Sequence, residues 1–284
     1  MSRRNNQDRL NPSPLPAAPP PPMLDNDQSS PFSFVVPTEL VDLPSGGKFY
    51  AQGHPLHGKE TIEIRHMTAK EEDILTSETL LRKGIAIDRL LTSLLVDKTI
   101  NLDDLLVGDK NALIVAARIT GFGPHYETKI TCPSCSDTSE TTFDLHALEV
   151  HHPHMDESVS VGEAGTFYVV LPLLELTVEF KLMTGREERA FLTQAERRRK
   201  MKLPASGATD LLKSMIVSIN DYTDAASIAS VVDRLPLADS RYIRTKYEQV
   251  NPDLNMTLDF ACVACSHEGG IAVPLTADFF WPKR

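Results

Sequence analysis

The sequence predicts an α+β fold in which one unit occurs twice: two strands, several helices, then a hairpin tipped by a CxxC turn. Three observations support this. Apolar residues alternate with period two in some stretches and recur with helical spacing in others. Short motifs return in the same order in the second half. The chain's four cysteines form two pairs of identical spacing, Cys132-Pro-Ser-Cys135 and Cys262-Val-Ala-Cys265.

Residues 1–37 read as a disordered, proline-rich leader. Nine of the chain's 20 prolines fall there, including Pro19 through Pro22, and apolar periodicity is absent. Such a segment buries too little surface to offset its ordering entropy. The proline run favours polyproline II, so the leader could equally serve as a docking arm.

The first repeat half, 38–150, opens with Glu39-Leu-Val-Asp-Leu-Pro-Ser-Gly-Gly-Lys-Phe-Tyr50, a Pro/Ser/Gly turn between short strands. Gly46-Gly-Lys48 fails as a phosphate loop, because Asp42 and Phe49 stand where glycine and Ser or Thr are required. Thr61-Ile-Glu-Ile-Arg65 alternates as a strand. Thr68-Ala-Lys-Glu71 is a capping box that starts a helix. Ile87, Leu90, Leu91, Leu94 and Leu95 mark an amphipathic helix. Asp109 reads as the cap of a further helix through Ala112–Ile119, closed by Gly121. Tyr126–Thr131 and Thr141–Leu145 then flank the first CxxC as strands.

In the second repeat half, 151–284, Leu176–Glu188 repeats Glu60–Glu72: strand, Met-Thr, capping box and paired glutamates. Upstream, Ser45–Tyr50 resembles Glu163–Tyr168. Downstream, Leu90–Val96 matches Leu211–Val217, and Leu102–Asp109 matches Val232–Asp239. The last match and the cysteine pairs share one offset of 130 positions. Two copies make a paired unit rather than a solenoid, which needs about three or more repeats.

Cys132, Cys135, Cys262 and Cys265 are the candidate metal ligands. A two-residue gap lets one tight turn aim both thiolates at one ion, and two such hairpins compose a Cys₄ zinc ribbon. Each half supplies two ligands, so joining the halves would complete a structural Zn²⁺ site with no open position for catalysis. Free cysteines, redox disulfides, or pairs that never meet are the competing readings. A thioredoxin-type CxxC needs a strand-to-helix junction, whereas these flanks are extended.

No GxSxG, HExxH or GxGxxG occurs, so no catalytic or cofactor-binding residue is assigned and no enzyme is expected. His151, His152 and His154, with Asp156 and Glu157, could form a second metal cluster, or even a hydrolase site, but fall in the linker between the halves. A net charge of −10 argues against a broad nucleic-acid face. The basic run Arg197-Arg-Arg-Lys-Met-Lys202 reads as a solvated helix face, an acidic-partner site or, last, a nucleic-acid site. No run reaches the roughly 18 apolar residues of a membrane helix, and the N-terminus has no secretory signal.

The chain resembles the baseplate hub family of T-even-type bacteriophages. The resemblance rests on Leu43–Tyr50, Ile64–Leu75, Gly108–Ala112 and Ala116–Gly121 with the CxxC behind it, and on Asp239-Ser-Arg241 and Phe279-Phe-Trp-Pro282 in the second half. It covers residue 38 to the end. It implies a non-enzymatic hub subunit or hub assembly protein of a contractile tail. Its partners would be other tail and baseplate hub proteins, with no membrane. It would work in the host cytoplasm during assembly and then either stay in the virion tail baseplate or leave. The alternative is a zinc-ribbon adaptor that binds nucleic acid.

Overall fold

The computed structural model describes residues 36–162, 165–202, 207–273 and 277–280. The leader, apart from its last two positions, and Trp281-Pro282 lie outside the described residues.

Two antiparallel ladders organise the chain. β1 (Thr38–Asp42) pairs with β2 (Thr61–Arg65), Thr38 opposite Arg65. Alternation puts Ile62 and Ile64 inward, at 3% and 1% exposure. Later, β6 (Val159–Val161), β7 (Thr166–Val170), β8 (Thr177–Lys181) and β9 (Ile216–Ile219) form a four-stranded antiparallel sheet in sequence order. Phe167, Val169, Val178 and Phe180 are its inner face, all buried.

Each central hairpin hands over to a helix through a capping box. α1 (Ala69–Thr76) starts at Thr68, whose backbone N–H donates to the Glu71 carboxylate at 2.9 Å. The longer α5 (Gly185–Lys200) starts at Thr184, whose N–H donates to Glu187, also at 2.9 Å. In both, a cation at the end of the preceding strand pairs with that carboxylate: Arg65 with Glu71 at 2.6 Å, and Lys181 with Glu187 at 2.7 Å. After α1 come α2 (Glu78–Arg82) and α3 (Ala86–Leu94), whose Leu90, Leu91 and Leu94 stripe is buried. After α5 comes α6 (Ala208–Met215), which buries Leu212 and Met215. The residue after α3, Leu95, bridges Ile64. The residue after α6, Ile216, pairs with Phe180.

The next helices, α4 (Val107–Phe122) and α8 (Leu237–Val250), each carry a fully buried aspartate as their third residue. Asp109 accepts from the Ser45 N–H at 2.9 Å, and Asp239 from the Leu173 N–H at 3.0 Å. Ser45 and Leu173 hold the third position of the two connections Leu43-Pro-Ser and Leu171-Pro-Leu, which follow β1 and β7. Between α6 and α8 lie β9 and α7 (Ala225–Val232).

One hydrophobic core runs from Val41 to Phe280. Entry into α4 is stitched to entry into α5. The Val107 N–H donates to the Met183 carbonyl at 3.0 Å, and the Gly185 N–H to the Leu105 carbonyl at 2.8 Å. Gly108 lies so close to the Pro252 backbone that a Cβ would sit 2.0 Å from its carbonyl oxygen, which reserves the position for glycine. β5 (Glu149–His151) pairs antiparallel with β10 (Asp253–Asn255). Lys110 meets Asp88 at 3.2 Å and Glu188 at 3.0 Å. Among the described residues, no helix is long and apolar enough to cross a membrane.

Three local expectations are corrected. The helix assigned to Ala112–Ile119 begins at Val107, with Leu106 as its N-cap. Asp109 therefore does not cap it, but points inward to Ser45 and Tyr50. Gly121 lies inside this helix, and the left-handed Gly123 (φ 82°) ends it. The match of Ser45–Tyr50 with Glu163–Tyr168 is out of register. The first segment follows β1, whereas Thr166–Tyr168 belongs to β7 itself.

Candidate metal centre

The first CxxC is the tip of a hairpin, β3 (His125–Thr131) with β4 (Thr138–Asp144). The second is the tip of β11 (Thr257–Ala261) with β12 (Glu268–Ala272). The first ladder closes nearer its cysteines than the sequence suggested, β4 starting at Thr138 rather than Thr141. β12 opens on Glu268-Gly269-Gly270, whose glycines carry no strand signature.

The tips have one geometry. The Cys132 N–H donates to the Asp137 carbonyl at 2.8 Å, and the Ser136 N–H to the Cys132 carbonyl at 2.9 Å. The Cys262 N–H donates to His267, and the Ser266 N–H to Cys262, both at 2.9 Å. Ser136 (φ 62°) and Ser266 (φ 57°) take the left-handed conformation, which costs about 1 kcal/mol or more per non-glycine residue. That cost is sustained at both tips, where it turns the chain leaving the second cysteine into the returning strand.

The turns face one another. Cys132 Sγ lies 3.8 Å from Cys265 Sγ, and Cys135 Sγ lies 3.7 Å from Cys262 Sγ. All four sulfurs lie within 4.8 Å of one another. A tetrahedron with metal–sulfur bonds of about 2.3 Å has edges of about 3.8 Å, so the close pairs match the edges of a zinc–thiolate site. Cys132 and Cys262 are buried, Cys135 and Cys265 exposed. No bond joins the sulfurs, and the two pairs are not apart.

Local electrostatics push the two thiols of the first pair in opposite directions. The backbone N–H groups of Cys135 and Ser134 point at the Cys132 sulfur and pull its thiol down to about 6. Cys135 accepts from the Asp137 N–H, which favours its thiolate, but the neighbouring Cys265 and Cys132 thiols outweigh this and push it up to about 12. Crowded thiolates repel, and a divalent cation at their centre would remove that penalty.

The hairpins rest on the core. Phe279 packs edge-on against Tyr126, ring centres 5.0 Å apart. Beside them Arg118, 1% exposed, donates to three carbonyls: Phe279 at 2.7 Å, Gly123 at 2.8 Å and His125 at 3.2 Å. One guanidinium thus binds the end of α4, the start of β3 and the C-terminal segment. No role was assigned to Arg118 from sequence. A lone charge within the apolar run Ala112–Ile119 was the available signal.

The histidine cluster does not assemble. His151 Nε2 lies 3.1 Å from the Glu248 carbonyl, and Asp156 is taken by Lys246 and Gln249. Among the described residues the four cysteines form the one grouping suited to a metal; His146 and His267 stand outside it.

A protein-family model described as T4 bacteriophage base plate protein matches residues 36–281. The match spans both hairpins and omits all but the last two residues of the leader. No curated protein and no solved structure matches the chain.

Proposed function

The chain belongs to the T4 bacteriophage base plate protein family, and from that premise we propose that it is a non-enzymatic subunit or assembly factor of the baseplate hub, clasped internally by one structural Zn²⁺. Cys132, Cys135, Cys262 and Cys265 are the ligands. One observation carries the zinc: four sulfurs, contributed by hairpins far apart in sequence, lie within 4.8 Å of one another, with two pairs across the hairpins at tetrahedral-edge distances. With four thiolates the ion has no free position, so it would hold structure and not activate water.

The clasp joins two copies of one ancestral unit, bounded at 38–150 and 151–284. Support comes from the paired features of the fold: hairpin, capping box, cation–glutamate pair, buried aspartate in the third helical position, and CxxC tip, in that order in both halves. Asp109 and Asp239, Cys132 and Cys262, and Ser136 and Ser266 all keep the offset of 130 positions.

Family membership points to other baseplate components as partners, and the hub is the place we assign within the baseplate. The protein would meet them in the host cytoplasm during assembly and remain with the virion tail.

Metal analysis with X-ray absorption on purified protein tests the zinc; the expected result is about one zinc per chain in four-sulfur coordination. Folded, metal-free protein with four free thiols would sink it. Electron microscopy of lysates from a phage lacking the gene tests the hub. Baseplates arrested at the hub are expected, and normal tails would end that assignment.

A further inference from the structure

Helix α5 is an anomaly in this fold. It has 16 residues, yet Gly185 is the one position along it that is buried. Only a narrow stripe, Glu187, Glu188, Phe191, Ala195 and Arg198, is half-buried against the body. The rest of its circumference faces outward and includes Leu192 at 57% exposure, with Met201 just beyond its end at 61%. An isolated helix of this length is marginal in water, and most helical stability comes from packing.

The charges on α5 divide into two groups. In its first half the guanidiniums are met by carboxylates of the chain: Arg186 by Asp104 at 2.6 Å, and Arg189 by Asp103 at 2.6 Å and Asp88 at 2.8 Å. Near the other end Arg198 reaches Asp210 at 3.1 Å. Arg197, Arg199, Lys200 and Lys202 have no carboxylate partner among the described residues. They crowd positive charge around the C-terminal end of α5, Arg197 and Lys200 on the outward side and Arg199 on the opposite flank, on a chain of net charge −10. A shallow groove of about 650 Å³ runs beside Arg197, lined by Arg189, Ala190, Thr193, Arg197, Arg198 and Met201.

We propose that the C-terminal end of α5, around which Arg197, Arg199 and Lys200 fan, docks an acidic amphipathic segment of a neighbouring baseplate protein. The segment would bring carboxylates to the unmatched cations and an apolar side chain to Met201. Charge complementarity selects this occupant. The first half of α5 already shows the same chemistry satisfied within the chain, and charge matching steers encounter and fixes register. Nucleic acid fits less well. The overall negative field repels it, and residues 192–202 contain no aromatic side chain on which a base could stack.

This assignment rests on the baseplate reading, and the test separates the two. A phage lacking the gene is complemented with wild type, with R197E/R199E/K200E, or with the charge-neutral R197Q/R199Q/K200Q. Both variants should unfold within a few degrees of wild type, because these side chains touch little. The reversal should cut the yield of tailed particles by about tenfold or more, and the neutral variant by less. Revertants of the reversal should carry Glu or Asp changed to Lys or Arg in another tail gene. Full yield from the folded reversal variant, where the deletion gives none, would overturn the docking face alone. Intact particles from the deletion would overturn the baseplate role and this surface with it. Binding of a duplex of about 20 base pairs at ~150 mM salt, lost in the reversal variant, would make the face a nucleic-acid site and refute the proposal.

Discussion

Cys132 Sγ lies 3.8 Å from Cys265 Sγ, although 133 positions separate them in the chain. Nothing local brings them together; the contact exists because the first hairpin and the last are held tip to tip. Removing one thiolate should therefore loosen the contact between two distant hairpins. For Cys132→Ser, a loss of about 3–5 kcal/mol is expected, which for a domain of this size is roughly a 10 °C fall in melting temperature. Hydrogen exchange should rise in both hairpins. Cys132→Ser/Cys265→Ser should cost little more than either change alone, because the ion is lost in each. Protection that changes only in Cys132's own hairpin would disprove the shared site.

Glu71 predicts a pH dependence. Its side chain is fully buried. Burial, the largest influence, would raise its carboxyl, but hydrogen bonds from Thr68, Ser93 and Arg65 together outweigh this and hold it at about 2. The folded value lies below the unfolded value of 4.5. The stabilisation is therefore present above pH ~4.5 and is lost as pH falls toward 2. It amounts to roughly 3 kcal/mol. Urea titrations should show wild type losing stability over this window. Glu71→Gln should be less stable at pH 7 and lose much less on acidification. Parallel curves would rule this out.

Asp109 and Asp239 sit at corresponding helical positions but hold different groups. Asp109 takes the Ser45 N–H and two hydroxyls, Ser45 Oγ and Tyr50, both at 2.6 Å. Asp239 takes two backbone N–H groups, from Leu173 at 3.0 Å and Leu174 at 3.2 Å. Hydroxyls can reverse their hydrogen bonds, whereas backbone N–H groups cannot. Asp109→Asn should therefore cost about 1–2 kcal/mol, because Tyr50 or Ser45 can accept from the new amide. Asp239→Asn should cost about 2–3 kcal/mol, because an amide N–H faces a fixed donor. Chemical denaturation of the two variants measures the difference, and equal losses would contradict the account.

The strands and helices of each half were legible because periodicity and capping chemistry are local. Thr61–Arg65 alternates, and Thr68 and Thr184 carry their glutamates three residues on. The four cysteines were legible because metal spacing is a short motif. The roles of Asp109 and Arg118 were not. An aspartate near a helix start fits both a cap and a buried acceptor, and only the approach of the loop at Ser45–Tyr50 decides between them. The misregistered match of Ser45–Tyr50 with Glu163–Tyr168 has the same origin. Gly-x-Phe-Tyr occurs in both segments, but strand pairing places one after β1 and the other inside β7. The unmatched cations of α5 were visible as a basic run, yet which of them lack partners depends on Asp88, Asp103, Asp104 and Asp210, residues from elsewhere in the chain.

Arg118 predicts how the C-terminal segment is held. Its guanidinium is buried against the Phe122 and Tyr126 rings and spans three carbonyls from separate segments. Burial pulls its pKa down, but a guanidinium starts so far above neutral pH that the group remains charged and its donors stay available. Arg118→Met keeps the aliphatic stem and strips three carbonyls of their donor, at a cost of about 3–5 kcal/mol. Arg118→Lys restores the charge but cannot reach three directions from one nitrogen, and should recover less than half of that loss. If the guanidinium is the tie, limited proteolysis of Arg118→Met should cut near Phe279 before the core opens. The edge-on contact of Phe279 with Tyr126 would then be lost while the zinc content stays near one per chain. Loss of zinc in parallel with the cut would mean that the C-terminal segment supports the hairpins themselves, and resistance of the variant at Phe279 would show that aromatic packing alone holds the end of the chain.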